Sequence, residues 1–438
     1  MAKINHFLAE YKESISSITP LCGENQLPVP VVHRFVRIFT GIDDTRYQGM
    51  TDYPLEEILL TAFLAVLANA STWTDIEQFG HEKLDWLRTF LPFENGTPSH
   101  DTFRRVFSLL DPSQIEKATV SFLMENISAI RDSLPDSGEE NYRLICIDGK
   151  EEKGTGRKYG TSEEVRNLQT LHVYDASSDV CIFSRPIDSK TNEIPVAQDI
   201  LKSMDLRGCI VTFDALHTQK DTVSIICGSG GDYVGGLKGN QSGLLADARL
   251  SFNNECLNAL KKSKTHYLKQ VEKAHGQLET RQYYLTEAAF GSGRQSDWTK
   301  LRCFVLLLKT TRNTITQEEH MEARYYITSL SDISLCAEAI RGHWSVENRL
   351  HWHLDYSFSE DDNTTMDKKA FTNLSLINKM CLSLCRLAQP LMGKGSLRVI
   401  RKRFSWNLER NLSLLLNSFD EAVLREALQD AGKKKKKG

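Results

Sequence analysis

Apolar positions along the chain change their period more than once, and those changes divide it into regions. From about residue 30 to 130 they recur at helical spacing. Pro54, well suited to a helix start, leads into the apolar stretch 55–67. Another helical segment begins at Thr74. A third follows Ser99, an N-cap residue type, and sets Phe103, Val106, Phe107 and Leu110 on one face with Arg104 and Arg105 beside it. A short helix, a turn and a second helix with nearby arginines is a shape that enters a DNA major groove, and an ordinary helical hairpin fits it equally well.

At Tyr142 the period shortens. RLICIDG is a short apolar run closed by an acid, and two strands are predicted over 168–174 and 180–187 around an Asp-Ala-Ser-Ser-Asp turn. A helix over about 195–204, the strand CIVTFDA, a helix over about 218–227 and the strand DYVGGLKG follow. Three leading strands and then alternating helix and strand predict a mixed sheet with an antiparallel edge. That is the element order of a ribonuclease H-like α/β fold, in which the first strand and the strand after the first helix lie side by side, each ending in an Asp. Residues 255–330 return to strand-like spacing and are expected as a small β-rich insertion. Helical spacing resumes through 368–389. The expected division is a helical N-terminal domain (1–130, with possible DNA binding), a catalytic domain (140–392) and a basic helical tail (393–438).

Composition narrows the class without choosing it. Of 438 residues, 40% are hydrophobic and 25% charged, which excludes a mainly disordered chain. No apolar run reaches the ~18–20 residues needed to cross a bilayer. No secretory signal is expected, and the ten cysteines include no Cys-x-x-Cys pair, so reduced thiols in a cytoplasmic protein are expected. The formal net charge of −3 argues against a histone-like polycation but not against local basic surfaces. From Lys394 onward there are twelve Lys and Arg against five Asp and Glu, the run 433–437 included.

Candidate chemistry centres on Asp148 and Asp214, each closing an apolar strand, where a carboxylate is more than surface decoration. A third carboxylate is expected from a later helix. Glu347 fits best, because Trp344, Glu347 and His351 share a helical face with Asn348 beside them. Three such carboxylates suit two Mg²⁺ ions about 3.5–4 Å apart, one activating a water or 3′-hydroxyl and the other stabilising the leaving oxygen of a phosphodiester. Mn²⁺ is an acceptable substitute.

The strings IDGK, TFDALHTQK, YVGGLKGNQ, HGQLETR and IRGHWSVENRLHWHLDYSFSEDDN resemble the H-repeat-associated transposases of bacterial insertion sequences, a family of DDE transposases. The resemblance spans the helical region and nearly everything from about 144 to 389. It implies that Asp148, Asp214 and Glu347 fill the three catalytic, metal-binding positions. The implied reaction is Mg²⁺-dependent hydrolysis at element ends followed by strand transfer, on double-stranded DNA as both element end and target. It also implies a homodimer on DNA and a bacterial protein associated with the nucleoid when bound. A signature of Tyr, Arg, Glu and Lys found on the last helix of many wider relatives is absent here, with Ile340, His343 and Leu354 at the matching positions. Arg341 or Arg349 would contact phosphate instead. A catalytically inactive DNA-binding relative and a structure-selective nuclease remain as alternatives.

Around this centre, Lys238, Asn240 and Gln241 follow a strand at the same sheet edge and are candidate DNA contacts. So are Arg401, Lys402 and Arg403 in SLRVIRKRF. Lys150, Lys153, Arg157 and Lys158 could track a DNA backbone or form a mobile loop. Glu360, Asp361 and Asp362 are expected in a solvated loop. His217 is expected to be structural, and Trp344 and Trp352 to pack in the core, with base stacking as the alternative. Zinc is disfavoured because HWHL lacks the i, i+4 pairing of a helical zinc motif.

Overall fold

The computed structural model describes residues 2–12, 36–47, 49, 51–132, 142–156, 166–187, 192–274, 276–289, 297–420 and 423–426. Arg157, Lys158 and the lysines at 433–437 lie outside the described residues. The strands are β1 (Arg143–Glu152), β2 (Leu168–Asp175), β3 (Val180–Ile187), β4 (Cys209–Phe213), β5 (Asp232–Leu237), β6 (Tyr267–Ala274), β7 (Gln277–Glu287), β8 (Cys303–Asn313) and β9 (Glu319–Thr328). They form one mixed sheet in the order β3-β2-β1-β4-β5-β9-β8-β7-β6. β1 runs parallel to β4 and β4 parallel to β5, while β2 and β3 add antiparallel at one edge. All five residues of β4 are buried, as expected for a central strand covered on both faces.

The strands expected within 255–330 are β6 to β9, and they join the main sheet. β9 pairs antiparallel with β5, from Val234 opposite Thr328 to Leu237 opposite Tyr325, and β8, β7 and β6 extend the same sheet. Alternation locates a strand but not its neighbour, which is why the junction was not apparent from the sequence.

The helix Ile333–His343 crosses β1 at Gly342. A Cβ there would stand 2.1 Å from Leu144 Cδ2, so a larger residue would have to displace that side chain. The chain then turns at Trp344 and passes through a π-helical stretch, Val346–His351, in which Trp352 N–H donates five residues back to Glu347 O. Such wide turns cluster at functional sites.

Helix Lys368–Met392 is buried on nearly every side, and helices Leu55–Leu67, His100–Leu109 and Pro112–Asp132 pack around it. Asn373 Nδ2 reaches inside this packing to Phe107 O at 2.7 Å and Leu110 O at 3.0 Å, satisfying carbonyls at a helix end. The N-terminal helices and the sheet region therefore share one continuous core.

Two arginines expected at DNA phosphates are structural here. In helix Leu397–Trp406, positions 397, 400, 401 and 404 form the inward face, so Arg401 is wholly buried with Leu397, Ile400 and Phe404. Its guanidinium donates to Val66 O (2.8 Å), Ala70 O (3.0 Å) and Ser357 O, and lies 3.9 Å over the Phe358 ring. The open carbonyls that end helix Leu55–Leu67 need such donors. Arg403 does the same for Met392 O (2.5 Å) and Lys394 O (3.0 Å). Lys402 alone of the three faces solvent.

Candidate metal centre

Strand pairing brings the first two acids together. The last β1/β4 register pair is Ile147 with Phe213, so Asp148, midway along β1, and Asp214, just past the end of β4, come side by side where the parallel pairing stops. Asp214 stands in a tight turn, its Oδ1 accepting the Leu216 N–H at 2.9 Å and the His217 N–H at 3.3 Å. Asp148 Oδ1 accepts the Gly149 N–H at 3.0 Å.

The π-helical turn supplies the rest. One ligand atom each from Asp148, Glu347 and His351 lie within 4.8 Å of one another, a cluster of which Asp214 is not a member. His351 Nδ1 stands 3.1 Å from Glu347 Oε2 and 3.9 Å from Asp148 Oδ2. Its other nitrogen, Nε2, is 2.9 Å from Nδ1 of His172, the fully buried residue opposite Asp148 on β2. Sequence reading placed His351 on the face of Glu347 but gave it no role, and missed His172. The signal available was the pairing of β1 with β2, which sets His172 across from Asp148.

Burial pushes the Asp148 carboxyl up to about 6; the His351 ring acts against this, and the Asp214 and Glu347 carboxylates add to it. Glu347 is held below its ordinary value, first by the hydrogen bond with His351. Burial drives His172 far down, so its ring is neutral. An imidazole nitrogen flanked by two carboxylates needs its own proton or a cation between them. Two carboxylates with one imidazole therefore fit a divalent cation by donor chemistry.

Close by, Glu193 packs on Gly149, where a Cβ would meet Glu193 Oε1 at 2.7 Å, and reaches His217 Nε2 at 3.4 Å. His217 is buried, as expected of a structural histidine. His343 and His353 do not join His351. His343 bonds Thr212 Oγ1 at 3.2 Å, His353 bonds Ser357 Oγ at 3.2 Å, and burial takes both rings down to about 4.

The remaining candidates separate into committed and exposed side chains. Asn240 Nδ2 donates to Ala215 O at 2.5 Å and Gln241 Nε2 to Thr218 O at 3.0 Å. Both donors thus brace the loop that carries Asp214. Arg341 pairs with Glu272 on β6 at 2.6 Å, and Arg349 pairs with the buried Asp179, which Tyr174 and Arg386 also contact. Each guanidinium thus meets a carboxylate, while both side chains remain half-exposed. Lys238 is exposed.

Three further expectations change. Lys150 is buried, and Glu360, expected in a solvated loop, is 1% exposed. Trp344 and Trp352, expected in the core, are 45% and 49% exposed. The wide turn at 346–351 rotates the residues after it relative to an ideal helix, so helical spacing alone misplaces Trp352.

Residues 139–384 match the family described as the transposase DDE domain, and residues 36–123 match its DDE transposase-associated domain. The chain belongs to the DDE transposase family. It is 31% identical over 373 residues to "Putative transposase YncI" of Escherichia coli O157:H7, covering 84% of this chain and 90% of that protein. It is also 31% identical over 327 residues to "H repeat-associated putative transposase YhhI" of Escherichia coli strain K12, covering 73% and 82% respectively. A 65-residue stretch is 45% identical to "Inactive transposase YbfQ" of the same strain, covering 15% of this chain and 77% of that one. The family uses a divalent metal to act on DNA. Among the described residues, no helix is long and apolar enough to cross a membrane, and every cysteine is a free thiol.

Proposed function

We propose that this chain cuts and joins DNA at the ends of its own insertion element, using Asp148, Asp214 and Glu347 as catalytic, metal-holding carboxylates. Mg²⁺ is the natural occupant, two ions serving the reaction and Mn²⁺ substituting. The observation that carries this reading is the convergence of Asp148, Glu347 and His351 within 4.8 Å at the strand end where Asp214 also emerges. The strand order β3-β2-β1-β4-β5 supports a ribonuclease H-like catalytic core within 140–392.

A bound divalent cation would polarise the phosphodiester and lower the pKa of a water or 3′-hydroxyl. The chain's own groups prepare for it. Asp148 and Glu347 supply hard oxygen donors, and Asp214 does so from the neighbouring strand. His351 Nδ1 adds a nitrogen donor, oriented by the His172 contact at its far side. The loop braces from Asn240 and Gln241 hold Asp214 in register. Lys238 and Lys402 are exposed and free to meet phosphate as point charges, positioning DNA without reading its sequence. Chemistry on paired element ends calls for a homodimer on double-stranded DNA, in the bacterial cytoplasm at the nucleoid. Residues 1–130 are assigned to end recognition and 393–438 to added phosphate contact.

The test is incubation of the purified chain with a labelled element end, target DNA and Mg²⁺. Wild type is expected to nick and then join strands, and Asp148→Ala, Asp214→Ala and Glu347→Ala to abolish both. Nicking that survives Asp148→Ala, or no nicking by wild type, overturns the reading and favours a binding-only relative. Hydrolysis without joining points to a nuclease.

A further inference from the structure

The residues that follow the candidate centre leave large aromatic surface in water. Trp352 comes directly after His351, and Asn348, Trp352 and Tyr356 are all exposed at successive i, i+4 positions. The Trp352 and Tyr356 rings stack at 4.6 Å between centroids with only 21° between their planes. Arg398, from helix Leu397–Trp406, sits 5.2 Å over the Tyr356 ring and donates to Tyr356 Oη at 3.1 Å. On that helix Arg398, Lys402 and Trp406 recur every four residues on the exposed face, opposite the face that buries Arg401. Trp406 is 73% exposed.

Exposed aromatic rings and cations therefore lie together beside the turn that carries Glu347 and His351. This is the pattern that single-stranded nucleic acid requires: π-faces for bases and cations for the backbone. Inside a duplex the rings find no open base face, because interior bases already stack on each other. We propose that Trp352, Tyr356, Arg398 and Lys402 form a track for an unpaired DNA strand at the cleaved end, with a base stacking on the exposed ring of Trp352, which Tyr356 and Arg398 back. The track rests on the transposase reading above, since it is the cutting of an end that delivers an unpaired strand beside the carboxylates.

The experiment compares binding of a fluorescein-labelled oligo-dT and an equal-length blunt duplex by anisotropy, using the full chain without metal. Trp352→Ala is expected to weaken oligo-dT binding at least about fivefold, the low end for removal of a stacking ring. Trp352→Phe is expected to retain it, and duplex affinity to stay within twofold for both. Arg398→Gln is expected to flatten the dependence of oligo-dT binding on salt by about one counterion. A loss below fivefold in Trp352→Ala, or an equal loss for duplex, overturns the track. Thermal melting confirms each variant's fold, and Tyr356→Ala reads the same platform should Trp352→Ala melt early. Nicking by wild type and Asp148→Ala is scored in parallel. Nicking without strand discrimination sinks the track alone, and discrimination without nicking sinks the transposase reading alone.

Discussion

On strand β1, Asp148, Lys150 and Glu152 alternate onto the same face, and the segment from Glu347 to Glu360 runs along it, yet the two ends of that contact are built differently. At the inner end Lys150 Nζ meets Glu152 at 2.5 Å, Asp355 at 2.7 Å and Glu360 at 3.6 Å. Asn378 Nδ2 donates to Glu360 at 2.9 Å, and Lys379 lies close enough to help hold Glu360 ionised. Burial works to raise Glu360, but these two lysines outweigh it; burial also works to lower Lys150, but the three carboxylates carry it up. At the outer end Asp148 and Glu347 have a histidine between them and no lysine within 4 Å among the described residues. The buried acids of the inner end come with resident cations, whereas the acids proposed to hold a mobile cation are left without a lysine partner.

Removing the resident cation should have the largest effect. Lys150→Met strands Glu152 and Glu360 in a buried site, and a loss of about 3–5 kcal/mol in urea unfolding is expected. Adding Glu152→Gln to that variant should recover part of the loss. If Lys150→Met unfolds like wild type, the inner group is not the closed network described here.

The outer end should respond to pH with the opposite logic. Asp148 titrates near 6 when folded against an ordinary 3.8, so between those values the folded chain binds the extra proton. Its contribution to stability is therefore present at low pH and is lost as pH rises toward 6, with no further change above. In metal-free protein, the urea midpoint of wild type relative to Asp148→Asn should fall from pH 4 to pH 6.5. Mg²⁺ or Mn²⁺ at pH 7 should raise the wild-type midpoint and leave Asp148→Asn unmoved. A flat difference across that range would remove the charge-deficit argument.

That contrast also shows which parts of the molecule the sequence could convey. The strands around Asp148 and Asp214 are local apolar runs, and the parallel pairing of β1 with β4 follows from the helix between the strands. The partners of long polar side chains do not follow from local pattern. Lys150 reads as a loop lysine until the segment through Asp355 and Glu360 closes over it, and Arg401 reads as a phosphate contact. Arg401 was nonetheless recoverable, since 397, 400, 401 and 404 is an inward helical face. Trp352 was not, because nothing in the spacing announces the π-helical turn before it.

The smallest expected effect separates bracing from contact at the sheet edge. Asn240 and Lys238 are two residues apart on the loop after β5, and sequence reading treated them alike. Asn240 Nδ2 is bonded to Ala215 O, directly after Asp214, whereas Lys238 faces solvent. Asn240→Ala should therefore cost about 1 kcal/mol of local stability and slow nicking severalfold at saturating DNA, with the DNA Kd and its salt dependence unchanged. Lys238→Gln should weaken DNA binding and lower the salt slope by about one, with little change in the nicking rate once DNA saturates. Fluorescence anisotropy at several salt concentrations, with single-turnover nicking on the same preparations, reads both. If Asn240→Ala raises Kd while the saturated rate holds, its amide serves DNA, and the bracing of Asp214 must come from Gln241 and Thr218 instead.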